Sequence, residues 1–469
     1  MVIVVGKFTD STIINKINLS RIENIDSNKE LQVYEVDPLS LVSSRRFDIM
    51  AKYIYGMFRE KGWRSDWGYR IYEDHLWVFN NYVEDDGSGK YGKKAYINSF
   101  NSTLDSVKNS GFKDDISVIP INDENVPLDG AHRIAAALLH NKKIKVVKVN
   151  NNKVNYDFKF FAERGLRTKW SDAITLEYFK LKQEIQMIVL FDTVKNSKEI
   201  DRCIYENSNI INRKEIKLEL KNDWLSQVIN NLEWSKKCKE NINVTDGKVD
   251  LSIYVLDTAC MNNKTIFQEE LQGINATQKA FVTNSKDETL QLAQLFFCEN
   301  SIEFLEKTQG ITMDFNRRLD IFKNLLIEKD INLNSICIVS RSVLEAYDLK
   351  TTEFLEVIHT DEIKNLDSFK DINVKNCNTN YSKNFIDNVL FNPENHFYIN
   401  GFKFATLNVV NKSLKRQKKL ISRTEKLLIN NLSKKSVFCK KYEIYNFIKF
   451  YKILRLKVYY FKKSLSCYL

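Results

Sequence analysis

Apolar positions along the chain repeat with two periods. From Ile49 to Phe58, from Tyr96 to Val107 and from Phe315 to Ile327 they recur at helical spacing, which predicts helices with one buried face. Short apolar runs at Ile144–Val149, Ile185–Phe191, Ile253–Leu256 and Ile336–Val339 predict buried strands. Ala280–Thr283 reads as a shorter strand, Phe354–Ile358 as another, and the aromatic run Leu76–Val83 as strand-prone. Ser285-x-x-Glu288 has capping-box spacing and predicts a long helix from Thr289 to Leu305. Tyr398–Phe404 predicts a hairpin, because Asn400-Gly401 favours a type I′ turn. Asp85–Gly89 is a loop by composition.

These elements predict a mixed α/β (α+β) chain. Residues 1–165 read as a first domain, 180–310 as a middle α/β unit, 315–412 as a third unit and 413–469 as a basic helical tail. A length of 469 residues accommodates two to four domains. Eight Cys occur singly with no Cys-x-x-Cys, and only five His are present, which argues against a zinc knuckle, a disulfide framework or a His/Cys metal site. Met1–Gly6 is too short and too poorly charged for a secretion signal, and no apolar run reaches the roughly 18 residues of a membrane span, so the expected location is cytoplasmic.

Charge is unevenly distributed. Residues 411–469 hold 17 Lys+Arg against 2 acids, a net +15 within a chain total of +11, so residues 1–410 carry −4. No basic stripe marks the first third, and DNA is not an expected partner. From Phe447 to Phe461, apolar and aromatic residues alternate with Lys449, Lys452, Arg455 and Lys457. This basic amphipathic pattern suits peripheral contact with an anionic membrane, a helix packed on the body by its apolar side or, third, a nucleic-acid strand.

The densest chemistry lies at Val126–Leu138. An apolar run ends at Asp129, and a helix carrying Ile134, Leu138 and Leu139 on one face begins at once. The order is strand, glycine turn, helix and strand. Such a turn presents backbone N–H groups at a helix N-terminus, where the dipole favours an anion. Gly130 and Ala131 keep the approach open, His132 adds a titratable ring, and Arg133 adds a fork of donors. Asp129 either binds Mg²⁺ through water or caps the helix.

Asp129-Gly-Ala-His-Arg133 resembles the phosphate-binding turn of the ParB/sulfiredoxin fold; the resemblance spans roughly the first third of the chain and is strongest over 126–149. Sulfiredoxins carry their catalytic Cys where this chain has Ala131, and no Cys precedes Cys203, which excludes their chemistry. ParB partition proteins carry Gly-x-Arg-Arg-type turns, from which His132 departs. Free-serine kinases of this fold carry Asp-Gly-His-His-Arg, matched here except at Ala131. The resemblance therefore implies an ATP-dependent kinase, or one using another nucleotide, with Mg²⁺ and a hydroxyl acceptor on a small metabolite or sugar. In that reading Asp129–Arg133 hold the nucleotide phosphates, Arg133 offsets developing charge, and His132 bonds a phosphate oxygen or relays a proton. Kinases of this fold take their base from an acidic residue upstream of the turn, which makes Glu84 the first candidate. Asp48, which follows Arg45-Arg46, is a second catalytic candidate beside another anion site, or else a helix cap; His75 reads as structural.

Ile338–Leu349 with Phe354-Leu-Glu356 resembles the core of polymerase-β-type nucleotidyltransferases, and Asn392–Tyr398 with its hairpin resembles the later part of such domains in bacterial surface-polysaccharide (O-antigen or capsule) gene clusters. Ser340 replaces the expected Gly, Arg341 or Ser342 stands at the Ser, and Phe354 and Glu356 replace the metal-binding Asp pair. Phe cannot clamp Mg²⁺ on a triphosphate, so this unit reads as a degenerate scaffold or recognition module. The function expected is a small-molecule or glycan kinase of surface-polysaccharide synthesis. The alternatives are a nucleotide-gated binding protein without transfer and a nucleotidyltransferase using the third unit.

Overall fold

Three small sheets, each flanked by helices, make a mixed α+β chain. The structure is a computed structural model describing residues 16–17, 31–84, 90–113, 117–149, 153–191, 202–206, 208–230, 247–258, 280–283, 285–360, 363 and 372–416. Residues 1–410 belong to one compact unit and 411–469 to a second. The Asp85–Gly89 loop and the tail from residue 417 onward, including its basic amphipathic segment, lie outside the described residues.

The first sheet has the order β1 (Val33–Val36), β3 (Ile144–Lys148), β2 (Ile119–Ile121), with β1 antiparallel and β2 parallel to β3. Helices α1 (Asp48–Glu60), α2 (Trp67–Asn80) and α3 (Lys93–Ser110) lie between β1 and β2 in sequence. Parallel neighbours need a crossover, and α4 (Ala131–Leu139) supplies it. Ile134, Ala135, Ala136 and Ala137 are fully buried, and the small alanines let α4 sit close against α1 and α3. Helices α5 (Phe158–Glu163) and α6 (Thr168–Leu181) follow, and α1 also packs on α6.

The middle sheet is antiparallel, in the order β5 (Asn209–Leu220), β6 (Gly247–Asp257), β4 (Ile185–Phe191), β7 (Ala280–Val282). Helix α7 (Trp224–Asn230) follows β5, while α8 (Lys286–Phe296), α9 (Glu299–Lys307) and α10 (Met313–Glu328) lead into the third sheet. That sheet is mixed, in the order β10 (Val374–Asn376), β9 (Leu355–His359), β8 (Ile336–Ile338), β12 (Phe402–Ala405), β11 (His396–Ile399). Helices α11 (Arg341–Ala346), α12 (Lys383–Phe391) and α13 (Leu407–Arg416) complete the described elements. Asn400 and Gly401 both have positive φ, +50° and +89°, as the expected type I′ hairpin requires.

Three expectations change. Leu76–Val83 is not a strand; it begins in the last turn and a half of α2, which ends where Asn81 and Tyr82 take φ of +54° and +62°. This helix is buried on most sides, so its apolar run shows no period by which a strand and a helix differ. The predicted helix Thr289–Leu305 is two helices, broken at Phe297-Cys298. The break aims the first turn of α9 at edge strand β11: Asn300 donates to the His396 carbonyl at 3.0 Å and Ser301 Oγ accepts from the Tyr398 N–H at 2.9 Å. Edge-strand groups are thereby satisfied without another strand. Finally, the strand before the glycine turn is Ile119–Ile121, not Val126–Leu128; Asn122 Oδ1 accepts from the Glu124 and Val126 N–H groups and folds the chain back on itself.

Candidate functional site

Gly130 starts α4 in the left-handed region, with φ +82°, and no side chain caps the helix. A Cβ there would meet Ile119 Cδ1 at 2.2 Å, so the turn lies hard against β2. Any residue other than glycine meets both a backbone penalty and a clash. The first-turn N–H groups of α4 have no intrahelical acceptor. Asp129 does not cap them: its Oδ2 accepts from Arg133 Nη2 at 3.2 Å, one helical turn on, while Arg133 Nη1 donates to Ser117 Oγ.

The turn forms one wall of a cavity of about 380 Å³ whose lining includes Asp48, Glu84 and all of Asp129–Arg133. Every catalytic or phosphate-binding candidate named from sequence thus faces one space. Arg46, Lys52 and Lys90 line it too, giving four cationic side chains against the carboxylates of Asp48, Glu84 and Asp129. Asn80 of α2 and Tyr96, Ser99 and Thr103 of α3 add to the polar lining.

Asp48 sits at the first position of α1 but is not its cap, which is Phe47. Its carboxylate accepts from Arg46 Nε at 2.8 Å and Nη2 at 3.0 Å, and from Lys52 Nζ at 3.0 Å. All three residues are buried. Burial opposes the charge on Asp48, yet Arg46 and then Lys52 outweigh it and hold the carboxyl well below the usual carboxylate range. A carboxylate so engaged is a poor proton acceptor; its geometry suits an anchor for two cations rather than a base. Arg46 also donates to the Pro127 carbonyl, which ties this cluster to the glycine turn.

His132 Nε2 lies 2.7 Å from the hydroxyl of buried Tyr72. Burial, then Lys52 and Lys90, push the ring well below its ordinary pKa, so it is neutral near pH 7. A buried phenol needs an acceptor, and Nε2 is the one beside it; the neutral ring then carries its proton on Nδ1. In that tautomer His132 is a donor to an anion and not a base. Glu84 lies at the end of the described chain before residue 85, paired with Lys90 at 3.3 Å. His75 is fully buried with both ring nitrogens unbonded, and burial, then Lys52, bring its pKa down to about 3, so it stays uncharged.

Among the described residues no cluster of three or more His, Cys, Asp or Glu is placed to hold a metal. Asp129 is the lone carboxylate of the turn, a number that suits Mg²⁺ carried largely by a ligand's own phosphates. In the third unit, Glu356 accepts from the Arg341 N–H at 2.9 Å, and Phe354 is exposed. Ser340, in the position of the expected glycine, takes φ +59° and ψ −130°.

Lys52 and Tyr72 escaped sequence reasoning. Lys52 is four residues after Asp48 on one helix, a spacing that signals an ion pair. Tyr72 gave no such signal, since its partner is 60 residues away. No helix among the described residues is long and apolar enough to cross a membrane. No protein-family model, curated protein or solved structure matches the chain.

Proposed function

We propose that the cavity under the Asp129–Arg133 turn is the site of a phosphoryl-transferring enzyme, an ATP-dependent kinase acting on a hydroxyl of a small metabolite or sugar. The observation that supports it is the convergence of an uncapped helix N-terminus, Arg133, Lys52 and Lys90 on one space that also contains Glu84. Positioning and charge neutralisation are what phosphoryl transfer asks of a protein. A bound nucleotide would supply the phosphoryl group, with Mg²⁺ held by its phosphates and, through water, by Asp129. The first-turn N–H groups, Arg133 and His132 Nδ1–H donate to phosphate oxygens; Lys52 and Lys90 offset charge; Glu84 takes the acceptor's hydroxyl proton. Asp48 keeps Arg46 and Lys52 in position. The link to surface-polysaccharide synthesis rests on the resemblance of residues 336–404 alone.

The test is incubation of the full chain with labelled ATP, Mg²⁺ and a pool of sugars, polyols and amino acids. Labelled acceptor should appear, and Glu84→Gln should lower kcat about 10²–10⁴-fold while nucleotide affinity is kept. Arg133→Ala should remove nucleotide binding. Binding that depends on Arg133 without any transfer would leave a nucleotide-gated binding protein. No binding at all would retire both.

For residues 413–469 we infer peripheral contact with the anionic inner face of a membrane, on the strength of the interleaved Lys, Arg and aromatic residues, and a cytoplasmic location for the rest. The full chain should cosediment with vesicles containing phosphatidylglycerol and be released by high salt; equal sedimentation with neutral vesicles contradicts this.

A further inference from the structure

A second cavity, of about 430 Å³, lies between the α1–α2 connection, α6 and the third sheet. That volume is in the range of small-molecule sites. At its floor is Lys403 of β12, only 5% exposed. Its ammonium donates to the carbonyl oxygens of Asn334 and Leu390, each at 2.7 Å, which uses two of its three N–H groups. No carboxylate pairs with it among the described residues, nearby Glu177 being bonded to Lys180; its Nζ also lies 5.4 Å from the Phe391 ring centroid, a cation–π contact that leaves the third N–H without a hydrogen-bond acceptor. A buried ammonium with no counter-ion is costly. Burial, and then the neighbouring Lys180, bring its pKa down to about 7. Thr360, also in the lining, has a buried Oγ1 without a partner. One wall is aromatic: Trp63 and Phe391 stack with centroids 3.6 Å apart at 10°, and Phe58 meets Trp63 edge-on at 5.1 Å.

We infer that this cavity binds a small aromatic monocarboxylate, its carboxylate on the free N–H of Lys403 and its ring on the Trp63–Phe391 wall. One deep cation with one donor to spare matches a single negative charge. Lys61 and Lys383 also line the cavity but are more exposed, and Lys180 is bonded to Glu177, so among the described residues Lys403 is the one buried cation of the lining.

Titration of the full chain with phenylacetate, followed by tryptophan fluorescence and calorimetry, tests the site. Saturable binding is expected, with phenylacetamide weaker by about tenfold or more, as loss of a charge-assisted hydrogen bond implies. Lys403→Met, similar in shape and uncharged, should lose phenylacetate binding by the same factor, and Arg133→Ala should leave it unchanged. The last result separates this site from the nucleotide pocket, whose failure would not touch it. Absence of saturable binding to the unaltered protein, equal affinity for the amide, or displacement by inorganic phosphate each overturns the assignment. The acid-against-amide comparison needs no variant, so it decides even where Lys403→Met folds poorly.

Discussion

Asp48→Asn is expected to destabilise the protein by about 3–5 kcal/mol, although it replaces a single oxygen. The substitution leaves Arg46 and Lys52 buried with no carboxylate between them. Urea unfolding at neutral pH measures the loss, and a neutral result would mean that water already reaches the cluster. Replacing all three residues by apolar ones of similar volume should recover most of the stability, because their desolvation cost disappears together with their attraction. The pH dependence has a definite sign. The folded pKa of Asp48 is depressed, so its contribution is complete above its unfolded value of about 3.9 and fades as pH falls through the folded one. The stability gap between the natural protein and Asp48→Asn should therefore narrow below about pH 4. The triple apolar protein should fold and yet lose affinity for anions, because the cavity's surplus of positive charge is gone.

Gly130→Ala is the second large effect. The left-handed backbone costs a residue with a Cβ about 1–2 kcal/mol, and forcing that Cβ against Ile119 adds about 1–3 kcal/mol. Gly62→Ala is the control, since Gly62 also has positive φ, +61°, but nothing lies within 4 Å of its added Cβ. The difference between the two urea midpoints isolates the clash. The added methyl would also stand 3.1 Å from Arg133 Nη2, so anion affinity should fall with stability. Equal midpoints for the two variants would show that β2 yields to the extra methyl.

Local grammar made parts of this molecule legible. Asn400-Gly401 fixes its own backbone signs, and the hairpin follows; Ile185–Phe191 and Ile336–Ile338 are apolar enough to declare themselves strands. The turn residues Asp129–Arg133 were legible as a group because their chemistry is contiguous. What lay hidden depends on partners distant in sequence. Helix α2 touches α1, α3, α4, α5 and α6, which erases the periodicity of Leu76–Val78. The break at Phe297-Cys298 answers to a strand nearly 100 residues later. Tyr72, which sets the proton position on His132, announces nothing until α2 and α4 are side by side. Sequence leaves Asp48 as cap or catalyst, because the chain alone does not reveal that Arg46 and Lys52 both close on it.

Trp63 stacked on Phe391 belongs to a longer seam. Arg70 and Lys169 both grip Glu394, whose pKa burial would raise but these two cations draw down to about 2, and the Arg64 N–H donates to Asp387. The amino-terminal third is thus riveted to segments some 320 residues further along the chain. Expressing residues 1–165 by themselves would bare an indole, part Arg70 from Glu394 and leave the Arg64 N–H without Asp387. Whatever chemistry the glycine turn performs, its rigid platform is completed only when the distal half has been synthesised and docked.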